Sequence, residues 1–333
     1  MSTTTARTRF QRIALFGVIV LLGTFVVQQL GGVTFARADS DAPAAAVSDG
    51  VLLDERLPAT AGGTLRLDLT SENVTVRTGA DDQAHITVSG EGEAARAFFE
   101  RQRYVVEAEG ETVTLRADPV RRSGRQRYGD APLEVVVTVP SLFSLEHDGG
   151  SGDLVVGDLG GERIVVDIGS GDVTLGAVAH GAIDIDSGSG NVFVQSVEGA
   201  ALSIDTGSGD VLVERSSGTA EVDTGSGDVR FDAHAGPFDV NTGSGDVTAN
   251  LTALAATEVD TGSGDVALTL LGGADLEIES NGDLVIDDAL AFSGQRDESD
   301  VSGRLGDGGP DLSIDTGSGD IALRAGTPGS SKQ

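Results

Sequence analysis

The heptapeptide Asp-Thr-Gly-Ser-Gly-Asp-Val occupies residues 205–211 and returns at 223–229 and 260–266. Near-copies stand at 241–247 (NTGSGDV), 167–173 (DIGSGDV), 186–192 (DSGSGNV) and 315–321 (DTGSGDI). Aligned on the acid that ends each unit, the series reads Asp153, Asp172, Asn191, Asp210, Asp228, Asp246, Asp265, Asp283 and Asp320, with steps of 18 or 19 residues and one final step of 37. Self-similarity at a fixed period of this length is the mark of a solenoid, in which each repeat is one supersecondary unit stacked on the next. The step of 37 reads as two coils, with a degenerate one around Ser302-Gly303-Arg304.

Within each unit the apolar residues alternate. They fall one and three places after the acid, as in Val192/Val194, Val211/Val213 and Val266/Leu268, and again in a segment before the motif, as in Ile183/Ile185, Leu202/Ile204 and Leu312/Ile314. Period two puts one set of side chains inside and the other out, so each coil is two strands joined by a Gly-Ser-Gly corner and a looser turn. The column between the apolar pairs (Val155, Thr174, Phe193, Leu212, Arg230) is read as outward. Corner glycine is expected to supply positive φ where a side chain would strike the next coil. The expected fold class is all-β: a right-handed parallel β-solenoid with coils of 18–19 residues, preceded by a less regular β-rich region.

The chain divides accordingly. Residues 1–38 read as a signal peptide or membrane anchor, 39–60 as a linker, 61–145 as the irregular β-rich region, 146–325 as the solenoid and 326–333 as a tail. The leader reading rests on Arg7, Arg9 and Arg12 before the apolar run Ile13 to Val27, and on Ala36-Arg37-Ala38 as a cleavage site before Asp39. Extended through Gly31, Gly32 and Val33 the same run approaches a membrane-spanning length, so residues 13–33 could also stay as an anchor. Both versions place residues 39 onward outside the cytoplasm, in the envelope, in the periplasm or at the cell surface. In the irregular region, strands are expected at 64–77, 84–89, 103–116 and 133–139, a short helix at Glu93 to Gln102, and a basic loop at Arg121 to Arg127.

The 333 residues include 53 acids against 22 bases, a formal charge of −31, and no cysteine. Such charge repels nucleic-acid phosphates and favours cations or basic surfaces as partners. The lack of cysteine excludes disulfides and thiolate chemistry.

Leu65 to Arg77, Val135 to Pro140, the serial Ser-Gly-Asp-Val units, and Gly303 to Gly308 with Thr316 to Leu323 resemble the DUF4097 family of bacterial β-strand-repeat proteins labelled "putative adhesin". The resemblance spans roughly residues 60–325. It implies a solenoid-like fold in an exported or membrane-tethered protein and carries over no catalytic residues.

Two acidic columns are the chemistry on offer. One is the motif-ending set, including Asp210, Asp228, Asp246 and Asp265. The other lies five residues earlier in most coils and includes Asp205, Asp223 and Asp260. Stacked a coil apart, carboxylates repel by about 0.9 kcal/mol per pair even at the dielectric of water. Hydrogen bonds from corner N–H groups would offset this. So would Ca²⁺ bridging successive corners, which makes these seven aspartates candidate cation ligands, with no other cofactor expected. The column Thr206, Thr224, Thr242, Thr261 and Thr316 has inward parity, which speaks against an exposed ice-binding array. A polysaccharide-acting enzyme would need a local break in the repeat, and the repeat is uniform, with His85, His147, His180 and His234 in no common column. The reading is a non-enzymatic binding or structural module with an unidentified surface or envelope ligand. A Ca²⁺-dependent solenoid is the alternative, and the enzyme comes third.

Overall fold

The computed structural model describes residues 26–30, 33–37, 50–118, 133–179, 181–297 and 299–327. The basic loop at Arg121 to Arg127, His180, the tail from residue 328 and residues 1–25 of the leader lie outside these. Val26–Leu30 and Val33–Arg37 pair antiparallel. Among the described residues no helix is long and apolar enough to cross a membrane.

The fold is all-β apart from the helix Gly92–Gln102 and the 3-10 turn Asp288–Leu290. A leading series of strands, before each corner, runs Thr64–Leu69, Ser144–Ser151, Arg163–Ser170, Ala182–Ser187, Leu202–Thr206 and Ala220–Thr224. A trailing series, after each corner, runs Asn73–Gly79, Leu154–Val156, Val173–Ala179, Val192–Glu198 and Val211–Ser217. Two long strands, Val229–Thr242 and Val247–Thr261, pass from the trailing into the leading series. Neighbours within each series are parallel and in register: Asp186 faces Asp205, Asp205 faces Asp223, and Val192 faces Val211. Between the series the inward columns form one largely aliphatic core in which Val213 and Ile204 are 0–1% exposed, and which is only half-closed at the end coil, where Leu284 and Ile286 are half-buried.

Order in space departs from order in the chain at both ends. Thr64–Leu69 lies between Thr112–Ala117 and Ser144–Ser151, and Asn73–Gly79 lies between Glu134–Pro140 and Leu154–Val156. The stretch 64–77 is therefore a coil bent at Thr70 to Glu72, and hydrogen bonds run from it straight across residue 145. Residues 103–116, expected as one strand, form a hairpin turned at Gly110, whose φ is 60°. At the far end Asp311–Thr316 lies between Val247–Thr261 and Ala274–Ser280. No coil is hidden around Ser302-Gly303-Arg304. Asp300–Leu305 runs antiparallel to Ala274–Ser280 and to Phe292–Arg296, capping the stack with a ribbon. Antiparallel ribbons of this kind, with the three-residue strand Leu284–Ile286, leave little edge for uncontrolled pairing.

Two expectations about side chains need correction. The corner glycines are required by close approach: a Cβ on Gly207 would lie 2.6 Å from the Gly188 carbonyl oxygen, and one on Gly209 only 1.9 Å from that of Gly190. Gly171 alone among the corner glycines has left-handed φ; positive φ recurs instead in the looser turns at Gly218 and Gly236. Phe193 and Leu212, read as outward, are both buried, side by side in register and outside the main core.

Candidate functional site

The two acidic columns, alike in sequence, have different surroundings. At the corner, each side chain reaches one coil onward and accepts a hydrogen bond from the backbone N–H of its own counterpart. Asp153 Oδ1 accepts from Asp172 N, Asp172 from Asn191, Asn191 from Asp210, Asp210 from Asp228, Asp228 from Asp246 and Asp246 from Asp265. The ladder extends inward from Asn73, which accepts from Asp153, and outward through Asp320 to Asp283. All nine contacts are 2.8–3.1 Å. Hydrogen bonds to an ionised acceptor are about twice as strong as neutral ones, which offsets the repulsion along the column. Asn191 serves as well as aspartate because the ladder uses one acceptor oxygen.

Asp205, Asp223 and Asp260 belong to the other column, on the outer face of the leading series. Asp68, Asp148, Asp167, Asp186, Asp205, Asp223, Asn241, Asp260, Asp315 and Glu279 lie there in one in-register row. A second row, two residues back along each strand, includes Asp184, Glu221, Asp239, Glu258 and Glu277. Basic partners occur at its first coils, where Arg66 pairs with Glu146 and Arg163 with Asp184. Partial burial followed by neighbouring carboxylates raises the pKa of Asp186, next to Asp167 and Asp205, and of Asp260, next to Asp315 and Asp239. The corner and face residues named as one candidate set thus form two separate columns. Among the described residues no group of three or more His, Asp or Glu side chains converges in a metal-binding arrangement.

The threonine column is buried at the inner side of the corner, Thr206 fully so. Thr261 and Thr316 hydroxyls donate at 3.4 and 3.3 Å to the carbonyls of Gly245 and Gly264.

Sequence reasoning missed one polar cluster. Glu72 occupies the corner place that Gly209 fills in a regular coil. The buried Glu72 carboxylate accepts from the Thr70 and Ser71 amides and from the Tyr104 hydroxyl, and Gln102 donates to Thr70 Oγ1 at 2.6 Å. Burial raises the Tyr104 pKa, reinforced by the Glu72 charge. Inward on the adjacent strand, His147 is held by burial at a pKa of about 4, against the pull of Glu72 and the Leu67 carbonyl. His234 is buried against Phe231 and Phe238 and bonded to Ser216 Oγ at 2.8 Å; burial lowers its pKa too.

Both histidines stay neutral in the fold where the unfolded chain takes up protons. Their contribution is complete above pH 6.5 and is lost as pH falls from there toward the folded value. For His147 the fall from 6.5 to about 4 corresponds to about 3 kcal/mol. The raised aspartates act in the opposite sense, favouring the fold at the acid end. The expected result is a melting temperature that declines between pH 6.5 and 4.5, and a His147→Leu variant with a flatter decline. Parallel pH profiles for the two proteins would contradict this assignment.

Solved structures of similar architecture include a "putative adhesin" from Bacteroides fragilis, 14% identical, covering 83% of this chain and 98% of its own with a TM-score of 0.32. A "putative adhesin" from Parabacteroides merdae is 11% identical over 82% and 97%, with a TM-score of 0.40. A "putative lipid binding protein" from Parabacteroides distasonis is 13% identical over 81% and 96%, with a TM-score of 0.35. No curated protein matches the chain. The family model described as Toastrack DUF4097 matches residues 64–324, which takes in both interleaved ends and every rung from Asn73 to Asp320, and the chain belongs to that family.

Proposed function

We propose that the chain is an exported, non-enzymatic rod of right-handed coils, acting as a binding or structural module of the cell envelope, with the outer face of its leading strands as the contact surface. The observation that carries this reading is the in-register double row of carboxylates on that face. The handedness follows the general rule for parallel crossovers. Between residues 128 and 327 the chain has 37 acids and six arginines, while residues 50–127 hold 11 of the 22 bases. A regular negative lattice of this kind suits a basic surface, through many weak contacts that salt screens.

The test is binding to immobilised polylysine and polyglutamate, with material recovered from the envelope fraction and sequenced from its N-terminus. Asp39 is expected first if the leader is removed and Met1 if it is kept as an anchor. Three exposed ion pairs together carry roughly 1.4 kcal/mol, so Asp186→Asn/Asp205→Asn/Asp223→Asn should weaken polylysine binding about tenfold. Equal binding by the variant, or recovery from the cytoplasm alone, would sink the reading.

A second reading is favoured by one detail of the corner. Each ladder aspartate uses Oδ1, and Oδ2 accepts no hydrogen bond among the described residues. A column of such oxygens one coil apart is open to Ca²⁺, which takes carboxylate and carbonyl oxygens in flexible geometry.

A further inference from the structure

The coil written last in the described chain is not last in the rod. Asp311–Thr316 is parallel-paired on one side to residues 257–261 and on the other to Ala274–Ser280. Ile321–Ala325 is parallel-paired to Val266–Leu270 and to Leu284–Ile286. When residues 274–286 take their places, they stand one coil's width beyond residues 257–270. The gap is filled only after the chain has made the excursion 287–310 and come back. The returning coil buries Leu312, Ile314, Ile321 and Leu323 to 1% exposure and carries the corner ladder across. An empty gap would leave backbone donors and acceptors of four strands unpaired and would open the core beside Val259 and Leu268. Its shape admits one kind of occupant, an extended strand, a Gly-Ser-Gly corner and a second strand.

We propose that this gap is a self-association site whose occupant is residues 311–325, supplied by the chain itself in the monomer and by a second copy when two chains exchange them. Two features support exchange. The segment 306–310 (GDGGP) that leads into the coil has Gly306 and Gly308 at positive φ, which lets it straighten without side-chain strain. The contacts are those of any coil on any other, so a second copy reproduces every one of them. Reciprocal exchange gives a closed dimer, and serial exchange gives a head-to-tail chain.

The test uses the full chain with a protease site placed between Gly308 and Gly309 and cut after folding. The cut piece is expected to stay with the body on size exclusion. A labelled synthetic peptide of residues 309–327 should then displace it. The same peptide carrying Leu312→Asp and Ile314→Asp should not enter. Uncut protein held in mild urea at rising concentration should yield dimers and larger species. The proposal is overturned if the cut piece leaves with no change in melting temperature, if the labelled peptide does not replace it, or if the uncut chain stays monomeric at every concentration.

Discussion

Replacing Gly209 by alanine is expected to destabilise the protein by about 3 kcal/mol or more, since the new Cβ would overlap a backbone atom that cannot move independently. That Cβ would sit 1.9 Å from the Gly190 carbonyl oxygen, and the same contact recurs between Gly227 and Gly209 in the next coil. Separating the coils enough to relieve it would stretch the Asn191–Asp210 rung and the parallel ladder on both sides of the corner. Ser208→Ala, at the neighbouring position of the same corner, is the control and should be close to neutral. Thermal melts of the two variants decide the matter. A melting temperature for Gly209→Ala within a degree or two of the parent would show that the coils are not packed this closely.

The second large effect is expected from Val213→Asp. Val213 is fully buried, lies in register with Val194 and Phe231, and faces the core shared by three coils. An aspartate there is a buried charge without a partner, costing about 4 kcal/mol or more, and repeat units fail together with the neighbours they contact. Ser203→Asp places the same side chain on the outer face of the adjoining strand. It should cost about 1 kcal/mol at most, the price of one more repelling surface charge. Hydrogen exchange around residues 192–242 distinguishes the outcomes. Unchanged protection in Val213→Asp would reverse the assignment of inner and outer columns.

The coil architecture was legible because its cause is periodic. Alternation of Val211/Val213 with Leu212, and of Leu202/Ile204 with Ser203, directs one set to the main core, and the structure does so, although Leu212 is itself buried outside that core beside Phe193. The interleaved ends were not legible, because near-identical coils stack on one another equally well. Leu312 pairs as naturally with Thr257 as with Leu276, and only the path of the crossovers decides which neighbours it has. One sign was available. Asp68, Asn73 and Val74 keep the spacing of Asp205, Asp210 and Val211, so a first coil at 64–79 could have been found despite Leu-Thr-Ser-Glu in place of the glycines. The two acid columns share outward parity. What separates them is whether a backbone N–H of the next coil lies within reach, and side-chain period does not contain that information. Glu72, Tyr104 and His147 come together only through the stacking of coils 64–79 and 144–156 beside the hairpin of residues 104–117, at sequence separations that no local pattern spans.

The central claim is that the corner aspartates are a hydrogen-bond ladder holding successive coils together. A crystal structure grown in millimolar Ca²⁺ tests it most directly. The expected result is Oδ1-to-N contacts of about 2.9 Å at every rung from Asn73 to Asp283, with no ion along the column. Ions about 2.3–2.6 Å from the oxygens of successive aspartates, with those aspartates turned away from the N–H groups, would contradict it and establish the corners as a Ca²⁺ site.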